Sequence, residues 1–470
     1  MLNNNEKAIL TKHNVIHIIG TGGIGVSRLA SFFLQKGKRV SGSDVEKNEI
    51  VESLEKQGLA FSLGHAAENI PADCDLVIYT LAVKEDNPER AAATSRNIRL
   101  LTHFEAIGEL SADMYTIAIA GTNGKSTTTA MLGAILEDAG FDPTVFLGSK
   151  FSRWGGNLRI GKSDIFVVEA DELYRQFLSL SPDILVITNI EREHLDYYKD
   201  LHDIITAFEA LAKKLPDTGW LVYNTDDDGS ADLGQRINFE HKFSFGKKGK
   251  YIILKNQSIA GGKRQFTFHY DKHDYEGEMS IPGEYNLYNA LGAISAAHLA
   301  RADFDAILKS LATFKGIWRR FEMIGEWGPR KTKIISDYAH HPTALHRLKK
   351  TLREAYPKQR IALVFQPHQV ERTKLLQQEF IDTLSEKQLD LTIITDIFQV
   401  TGREHSSQEV SGKDIFIEVG KRNPAIEYIS KPEKSINKIK ELISQYDVAV
   451  FAGAGDIYKI PIEIMKESVK

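Results

Sequence analysis

The sequence predicts an α/β protein made of three domains. In three successive blocks, short apolar runs alternate with helix-like segments, and most of these runs end in glycine or polar residues. Continuous apolar runs are typical of parallel strands that helices cover on both faces. The length of 470 residues suits about three domains. In open sheets of this kind ligands bind at the carboxyl ends of the strands, so we expect the functional residues there.

Composition and charge exclude several classes of protein. Hydrophobic residues make up 42% and charged residues 26% of the chain, as in soluble globular proteins. The net charge of −4 gives no electrostatic reason to expect a nucleic-acid partner. No apolar run approaches the roughly 20 residues of a membrane span, and the first residues lack the apolar core of a signal peptide. With Cys74 as the single cysteine no internal disulfide can form, and we expect a cytoplasmic protein.

The first block, residues 1–112, opens with an apolar strand at 15–20 followed by a glycine turn. Gly20, Gly22 and Gly25 form G-x-G-x-x-G between this strand and a helix, and Asp44 ends the next strand. This spacing is the dinucleotide fingerprint of Rossmann-like domains, in which a pyrophosphate sits at the helix N-terminus. A nicotinamide dinucleotide and a nucleotide-sugar both offer a pyrophosphate, and a tight turn without a ligand is the alternative.

The second block, residues 113–327, places a second glycine loop after the strand 115–121. Backbone N–H groups of such a loop cradle phosphate, a lysine neutralises it and a hydroxyl holds Mg²⁺. The usual P-loop has a glycine where Ile119 stands, so a surface turn is the alternative. The candidate loop residues are Gly121, Thr122, Asn123, Gly124, Lys125, Ser126 and Thr127.

Acidic residues follow the next apolar strand of this block. Glu169 stands where an acid can hold a metal beside a phosphate loop, whereas Asp171 and Glu172 are expected to be solvated. His194 follows another strand end and is either structural or part of the metal and water shell. From 242 to 281 the sequence alternates between apolar and polar residues, which predicts appended antiparallel strands.

The loop G-T-x-G-K-[ST]-[ST], without the first P-loop glycine, resembles the ATP loop of the Mur ligase family. Further motifs follow in family order: the first glycine loop with SGSD, Gly64-His65, NPE (87–89), EADE (169–172), TNIE (188–191), HLD (194–196), PGEYNLYNALGA (282–293), RRFE (319–322), DYAHHPTA (337–344), FQPH (365–368) with RT (372–373), and GAGDI (453–457). Each motif is weak alone, but together they cover almost the whole chain. The chain is most similar to the branch that joins L-alanine to UDP-N-acetylmuramate in peptidoglycan precursor synthesis.

The resemblance implies ATP-dependent amide formation through an acyl phosphate, with ATP and Mg²⁺ as cofactors. It implies a Rossmann-like N-terminal domain for the UDP-sugar and a central P-loop-type ATPase domain with an added antiparallel β part. The third domain, residues 328–470, would be Rossmann-like and would bring the incoming amine. We expect a monomer or weak homodimer whose partners are UDP-N-acetylmuramate and an amino acid, with no nucleic acid and no membrane.

Residue roles carried over from the family fall into four groups. The catalytic group is Lys125, His194, Arg320, His341, His368 and Arg372. ATP would meet the phosphate loop and also Asn286, Asn289, Arg320 and Asp337, although helix capping could explain both asparagines and a surface ion pair Arg320. Substrates would meet Gly20, Gly22, Gly23, Gly25, Ser43, Asp44, His65, Tyr338, His341, His368 and Arg372. Metal would be held by Ser126, Glu169 and His194.

Several residues depart from the family pattern, and they keep rival functions open. Gln369 replaces the arginine usual after His368, and Leu173–Arg175 differ from the usual segment. A glutamine cannot grip an amino-acid carboxylate as arginine does. The nearest rival is a recycling ligase that attaches a ready-made peptide to UDP-N-acetylmuramate, and another is an amide ligase of an unrelated polymer. A nicotinamide-dependent oxidoreductase would leave the second loop unexplained, and a P-loop switch protein would leave the first unexplained.

Overall fold

The structure is a computed structural model that describes residues 10–193, 197–260, 262–399 and 410–466. Its contacts divide the chain into two units. The first unit comprises Met1–Ser258, Gln265–Glu278 and Tyr288–Phe314. The second comprises Ile259–Arg264, Met279–Leu287 and Lys315–Lys470.

A five-stranded parallel sheet forms the N-terminal part of the first unit, with strand order β3-β2-β1-β4-β5. This is the order of a Rossmann-like sheet without its sixth strand, as the first glycine loop predicts. The strands are β1 Val15–Ile19, β2 Arg39–Asp44, β3 Ala60–Leu63, β4 Leu76–Tyr79 and β5 Arg99–Thr102. The helices are α1 Ile24–Gln35, α2 Glu49–Lys56, α3 Pro88–Ser95 and α4 His103–Asp113.

Local sequence signals explain where these helices begin. The Asn48 side chain caps α2, and Asn87 caps α3 just before a proline at the first helical position. Thr102 and Glu105 form a capping box at the start of α4. The sheet is central because residues such as Ile16 are fully buried between helices.

A ten-stranded sheet follows, with order β15-β14-β13-β12-β11-β10-β6-β9-β7-β8. Its strands are β6 Tyr115–Ala120, β7 Thr144–Phe151, β8 Gly156–Arg159, β9 Ile165–Ala170, β10 Ile184–Ile187, β11 Trp220–Asn224, β12 Lys242–Gly246, β13 Ile252–Ala260, β14 Lys263–Tyr270 and β15 His273–Met279. The helices are α5 Lys125–Asp138, α6 Leu201–Ala212, α7 Asp228–Arg236, α8 Glu284–Leu299 and α9 Phe304–Thr313.

The predicted antiparallel extension is correct in part. β12, read from its alternation as antiparallel, pairs in parallel with both β11 and β13. The β11–β12 pair is parallel because α7 carries the chain back across the sheet between these two strands. β13, β14 and β15 are successive neighbours joined by very short turns, which only antiparallel strands permit.

The second unit holds a six-stranded sheet of order β16-β17-β21-β18-β19-β20. The β16–β17 pair is antiparallel and the other pairs are parallel. The strands are β16 Glu322–Trp327, β17 Thr332–Asp337, β18 Ile361–Phe365, β19 Leu391–Thr395, β20 Ile426–Ile429 and β21 Val448–Ala452. The helices are α10 Pro342–Ala355, α11 Val370–Leu375, α12 Gln377–Ser385, α13 Gly412–Gly420, α14 Ile436–Ile443 and α15 Lys459–Lys466.

The predicted boundary between residues 327 and 328 cuts through a hairpin. β16 lies on the predicted central-domain side of that boundary, yet it pairs with β17 of the third sheet across the turn at 328–331. Because β16 alternates and is half-exposed, its sequence does not indicate which sheet the strand joins. The other domain limits stay predictions.

Among the residues that the structure describes, no helix combines the length and apolarity that a membrane crossing requires.

Candidate active site

The loop between β6 and α5 has a backbone that glycine alone accommodates easily. Gly121 and Gly124 have φ of 139° and 87°. A Cβ on Gly124 would lie 2.1 Å from Oδ1 of Asn289, so no larger residue fits. Lys125 is the first residue of α5, which directs its N-terminus at this loop. A helix N-terminus with close backbone approach is a site for phosphate.

Residues that follow β10 hold this loop in place. Thr188 Oγ1 and Asn189 Nδ2 donate to the carbonyl oxygen of Asn123 at 2.7 and 2.8 Å. The Asn123 N–H donates to Asn189 Oδ1 at 2.9 Å. Because β10 lies beside β6 in the sheet, the loop is fixed before any ligand binds. The structure thus brings the predicted loop residues into one cradle.

Lys125 is paired with Glu172. Its Nζ lies 3.0 and 2.7 Å from the two carboxylate oxygens and also donates to the carbonyl oxygen of Gly121 at 2.6 Å. Glu172 is only 2% exposed, so the expectation that it is solvated is wrong. Burial raises the pKa of Glu172 to about 7, against the opposing effect of Lys125.

Ser126 and Glu169 meet beside this pair. Ser126 Oγ donates to a Glu169 carboxylate oxygen at 3.0 Å, and the Gly148 N–H donates to the other oxygen. The two residues stand at the carboxyl ends of neighbouring parallel strands, β6 and β9. Burial raises the pKa of Glu169. A hydroxyl and a carboxylate are oxygen donors of the kind that Mg²⁺ prefers, so this pair fits a metal beside phosphate.

A complete metal-binding cluster is not formed by the described side chains. Among the described residues, no group of three or more histidine, cysteine, aspartate or glutamate side chains could hold a metal ion. The third predicted ligand, His194, lies outside the described residues. Ser126 and Glu169 are therefore the described members of the predicted metal set.

The first glycine loop is fixed by its neighbours. The Gly22 N–H donates to the Asp44 carboxylate at 2.7 Å, which ties the loop to the end of β2. A Cβ on Gly20, at φ 86°, would meet a Thr80 methyl group at 2.5 Å. Gly23 precedes α1, and Gly25 lies in its first turn. The predicted glycines and Asp44 thus come together at the N-terminus of α1, as an anion site requires.

Behind this loop lies a buried polar network centred on Glu89. Ser43 Oγ donates to the Glu89 carboxylate at 2.6 Å, and Asn69 Nδ2 donates to it at 2.6 Å. His65 Nδ1 lies 3.1 Å from the same carboxylate, and His17 pairs with it at 3.7 Å. Ser43 and Glu89 are fully buried. Ser43 therefore positions Glu89 and His65, whereas partly exposed His65 can face a ligand.

In the second unit the arginine pair Arg319 and Arg320 lies within a strained stretch of backbone. Arg319 and Phe321 have φ of 56° and 49°, and Arg320 between them is exposed. The Arg320 guanidinium lies 4.9 Å from the centre of the Tyr338 ring. Buried Arg319 packs against Tyr338 and Tyr458 and donates to the carbonyl oxygens of the GAGDI segment. Arg319 thus fixes the segment from which Arg320 projects.

Asp337 ends β17 and anchors the same segment. Its two carboxylate oxygens accept the N–H groups of Phe321 at 2.7 Å and Ala339 at 2.8 Å. Burial raises the pKa of Asp337, while Arg320 opposes the shift. Asp337, the predicted ribose ligand, therefore also fixes the backbone of the segment that carries Arg320.

Histidines and an arginine gather around His340. The ring of His368 lies 5.9 Å from that of His340 and is stacked on Phe398. Burial lowers the pKa of His340 well below its usual range, and the charge of Arg372 lowers it further. His341 caps α10, its ring accepting the Thr343 N–H at 3.3 Å.

The two predicted adenine-site asparagines lie on α8 in different surroundings. Asn289, in the first unit, packs against Gly124 of the phosphate loop. Asn286, in the second unit, donates through Nδ2 to the carbonyl oxygen of Pro282 at 2.6 Å. Asn289 therefore adjoins the candidate phosphate loop.

Comparison with known proteins agrees with this arrangement. Residues 15–115 match the model described as Mur ligase family, catalytic domain, and residues 119–297 match the Mur ligase middle domain. Residues 319–455 match the Mur ligase, glutamate ligase domain. The chain belongs to the Mur ligase family. The three-domain α/β fold predicted from the motifs is confirmed.

Relatives in this family match over nearly their full length. The chain is 38% identical over 454 residues to UDP-N-acetylmuramate–L-alanine ligase of Clostridium kluyveri, covering 96% of this chain and 97% of the relative. The enzyme of the same name from Aquifex aeolicus is 35% identical over 453 residues, with coverage of 96% and 97%.

Solved structures of Mur ligases agree with the fold. The crystal structure of UDP-N-acetylmuramate–alanine ligase from Thermotoga maritima superposes with a TM-score of 0.79 at 28% identity, covering 97% of this chain and all of that one. A murein peptide ligase from Psychrobacter arcticus superposes with a TM-score of 0.69 at 22% identity, covering 96% and 98%. At that identity the second likeness concerns the fold alone.

Sequence reasoning overlooked three residues that contact candidate site residues, one in the first unit and two in the second. Glu172 pairs with Lys125, Arg319 supports Arg320, and His340 lies with His368 and Arg372. For His340 the DYAHHP motif did carry a signal, since either of its two histidines could face the site. The RRFE motif carried a similar signal for Arg319, because either of its two arginines could face the site. Glu172 had none, because a buried acid and a surface acid look alike until the partner is known.

Proposed function

We propose that this Mur ligase joins L-alanine to the carboxylate of UDP-N-acetylmuramate, with ATP as the energy source. The observation that carries the proposal is the phosphate loop, with Lys125 at its end and the Ser126–Glu169 pair beside it. Full-length similarity to enzymes named for this reaction supports the same choice of substrates.

The chemistry explains why such a loop is needed. A carboxylate is a poor electrophile, and its charge repels the phosphates of ATP. Its oxygen attacks the γ-phosphorus, the bond to the β,γ-bridging oxygen breaks, and ADP leaves behind an acyl phosphate. The amino group of L-alanine then attacks the acyl carbon and expels phosphate. The protein contributes mostly position and charge neutralisation.

The residues of this chain divide that work. Lys125 would neutralise the β- and γ-phosphates, and Gly121–Gly124 would hold them through backbone N–H groups. Ser126 and Glu169 would hold Mg²⁺, which when bound neutralises phosphate charge. The first glycine loop and His65 would bind the uridine diphosphate part. In the second unit, Arg320 would reach the γ-phosphate, and His368 and Arg372 would receive the amine.

The decisive experiment is phosphate release from ATP with UDP-N-acetylmuramate, screened over amino acids and a tripeptide. We expect release with L-alanine, and none when either UDP-N-acetylmuramate or the amine is left out. Use of the tripeptide alone would indicate the recycling ligase. Oxidation of reduced nicotinamide cofactor, followed at 340 nm, tests the oxidoreductase alternative. Sedimentation measures whether the protein is the proposed monomer or weak homodimer. Cell fractionation tests the proposed cytoplasmic location.

A further inference from the structure

One cation near the active site has no role in the reaction as described above. Arg28 is the fifth residue of α1, directly after the first glycine loop, and its side chain is partly buried. Its guanidinium carbon lies 5.7 Å from the centre of the Phe146 ring. Its Nε is buried and has no hydrogen-bond partner in the part of the chain that the structure describes. A buried guanidinium nitrogen left in that state costs free energy.

The surroundings of Arg28 connect the first glycine loop with the candidate metal site. Phe146, over which it lies, is on β7, and Gly148 of the same strand donates its N–H to Glu169. His103 also lies near the first glycine loop, its Nε2 3.1 Å from the position of a Cβ on Gly25.

Electrostatics agree with this position. Burial lowers the pKa of Arg28, and the charges of Glu169 and Asp171 oppose that shift without cancelling it. Burial and the charge of Arg28 lower the pKa of His103 to about 4, so this imidazole is neutral at physiological pH. Of these two side chains, Arg28 therefore carries the positive charge and His103 does not.

We propose that Arg28 binds the carboxylate of the nucleotide-sugar and aligns it for attack on the γ-phosphate. This inference rests on the proposed function, because it names the group that recognises the reacting end of that substrate. Guanidinium and carboxylate match as planar, bidentate partners. A carboxylate in this place would supply the buried Nε with the acceptor that it lacks.

The position of Arg28 favours the carboxylate over the diphosphate of the same substrate. A diphosphate binds at the glycine loop and the first turn of the helix, where the helix dipole acts. Arg28 begins the second turn of α1; one of its guanidinium nitrogens lies 4.0 Å from the position of a Cβ on Gly25, and the charges of Glu169 and Asp171 also act on it. The reacting carboxylate must reach the same region, since Glu169 and Ser126 mark where the γ-phosphate would be held. Arg28 would offset the repulsion between carboxylate and triphosphate.

The test compares ligands with and without the carboxylate on matched variants. Calorimetry measures the Kd of UDP-N-acetylmuramate, of UDP-N-acetylglucosamine, which lacks the carboxylate, and of UDP. Arg28→Met removes the charge and keeps the length, Arg28→Lys keeps the charge, and Arg39→Met removes an exposed arginine of the same domain as a control. Thermal unfolding checks each fold. Wild-type phosphate release with UDP-N-acetylmuramate tests the proposed function separately.

We expect Arg28→Met to raise the Kd of UDP-N-acetylmuramate by roughly 10- to 100-fold, the scale for a lost hydrogen bond to a charged group. The other two ligands should bind as before, Arg28→Lys should restore part of the affinity, and Arg39→Met should change nothing. Equal weakening of all three ligands would place Arg28 on the diphosphate and overturn the proposal. Unchanged binding by a folded Arg28→Met protein would overturn it as well. If Arg28→Met does not fold, Arg28→Lys decides, through a selective loss for the carboxylate ligand.

Discussion

The ammonium group of Lys125 lies within hydrogen-bond distance of both carboxylate oxygens of Glu172, at 3.0 and 2.7 Å. Both side chains are largely buried, with Glu172 only 2% exposed. The lysine proposed to neutralise ATP therefore already has a counterion in the structure. Triphosphate must replace or share that counterion, and the pair keeps a buried charge compensated until it does.

Lys125→Ala should lower turnover by at least roughly 10²-fold, the scale for losing one preorganised charge contact in the transition state. The measurement is phosphate release at saturating substrates. Lys213→Ala, which removes an exposed lysine directly after α6, serves as the matched control and should keep full activity. Near-normal turnover in a folded Lys125→Ala protein would contradict the assignment.

A double variant separates stability from catalysis at this pair. Lys125→Ala leaves the Glu172 carboxylate buried without its partner, which destabilises the fold while that carboxylate stays charged. Lys125→Ala/Glu172→Gln removes the stranded charge. We therefore expect its Tm to exceed that of the single variant, while turnover stays low. Recovery of turnover along with Tm would mean that the lysine acts only through folding.

Ser126→Ala and Glu169→Gln should each raise the Mg²⁺ concentration needed for half-maximal rate. Each removes one of the two oxygen donors that meet at 3.0 Å beside the phosphate loop. The measurement is initial rate against Mg²⁺ at fixed ATP, with Ser152→Ala, an exposed serine of the same unit, as control. An unchanged Mg²⁺ dependence in both variants would show that the metal is held elsewhere.

The glycine loops and buried strands could be predicted from sequence because their signals are local. A strand, a glycine with positive φ and a helix start all lie within a few residues of one another, as at Gly121–Lys125. Strand direction was harder to predict, because the apolar–polar alternation at Lys242–Gly246 does not show in which direction the neighbouring strand runs. The structure buries Phe243, Ser244 and Phe245 alike. The chain path through α7 decides that direction.

The sequence also could not show which residues from distant parts of the chain lie close together in the structure. Arg28 lies on α1 and Glu169 on β9 of the ten-stranded sheet, far apart along the chain. Arg28 follows a recognised motif, yet nothing in the sequence says that its side chain turns toward Glu169. Residues chosen by motif, such as Asp44 and Asp337, end strands β2 and β17, and each accepts backbone N–H groups that fix a loop.

The first domain should bind UDP-N-acetylmuramate and should not bind NADH. Asp44 accepts the Gly22 N–H and so holds the glycine loop closed around the α1 N-terminus, while His65 is partly exposed beside it. Calorimetry with both ligands measures this choice. Tight NADH binding together with absent UDP-N-acetylmuramate binding would reverse the assignment of the domain.

Glu89→Gln should destabilise the protein in a pH-dependent manner. Burial alone would raise the pKa of Glu89, but its interaction with His17 and its hydrogen bonds from Ser43 and Asn69 lower it to about 2 from the 4.5 of an unperturbed glutamate. Because the folded-state pKa is the lower one, the stabilisation is complete above pH 4.5 and is lost as the pH falls toward 2. We expect Glu89→Gln to lower the free energy of unfolding by about 3 kcal/mol at pH 7.

Urea unfolding at pH 7 and at pH 3 checks that expectation. The deficit of Glu89→Gln should shrink at the lower pH, because the wild-type carboxylate then begins to lose its advantage. Glu52→Gln, an exposed glutamate in the first turn of α2, is the control and should cost little at either pH. A deficit that is the same at both values would mean that shape, and not charge, matters at Glu89.

Arg372→Ala should chiefly raise the KM for the amine and leave the KM for ATP much less affected. Gln369, which stands where the family usually has arginine, carries no charge, and its backbone has a φ of 66° just before α11. Arg372 lies within α11 and acts electrostatically on His340, as expected if it receives the carboxylate of the incoming amino acid. A desolvated carboxylate needs a cation.

Initial-rate kinetics across L-alanine, glycine, L-serine and a tripeptide measure this prediction, with Arg422→Ala, an exposed arginine paired with Asp382, as control. We expect the wild type to prefer L-alanine but to accept its two neighbours in size, because a methylene-sized difference discriminates by only about 1–3 kcal/mol. In Arg372→Ala every amino-acid KM should rise together, since all three share the carboxylate, and loss of such uniform binding raises KM without lowering kcat. If every amine KM stayed unchanged, the carboxylate would have to be bound by another residue of the site.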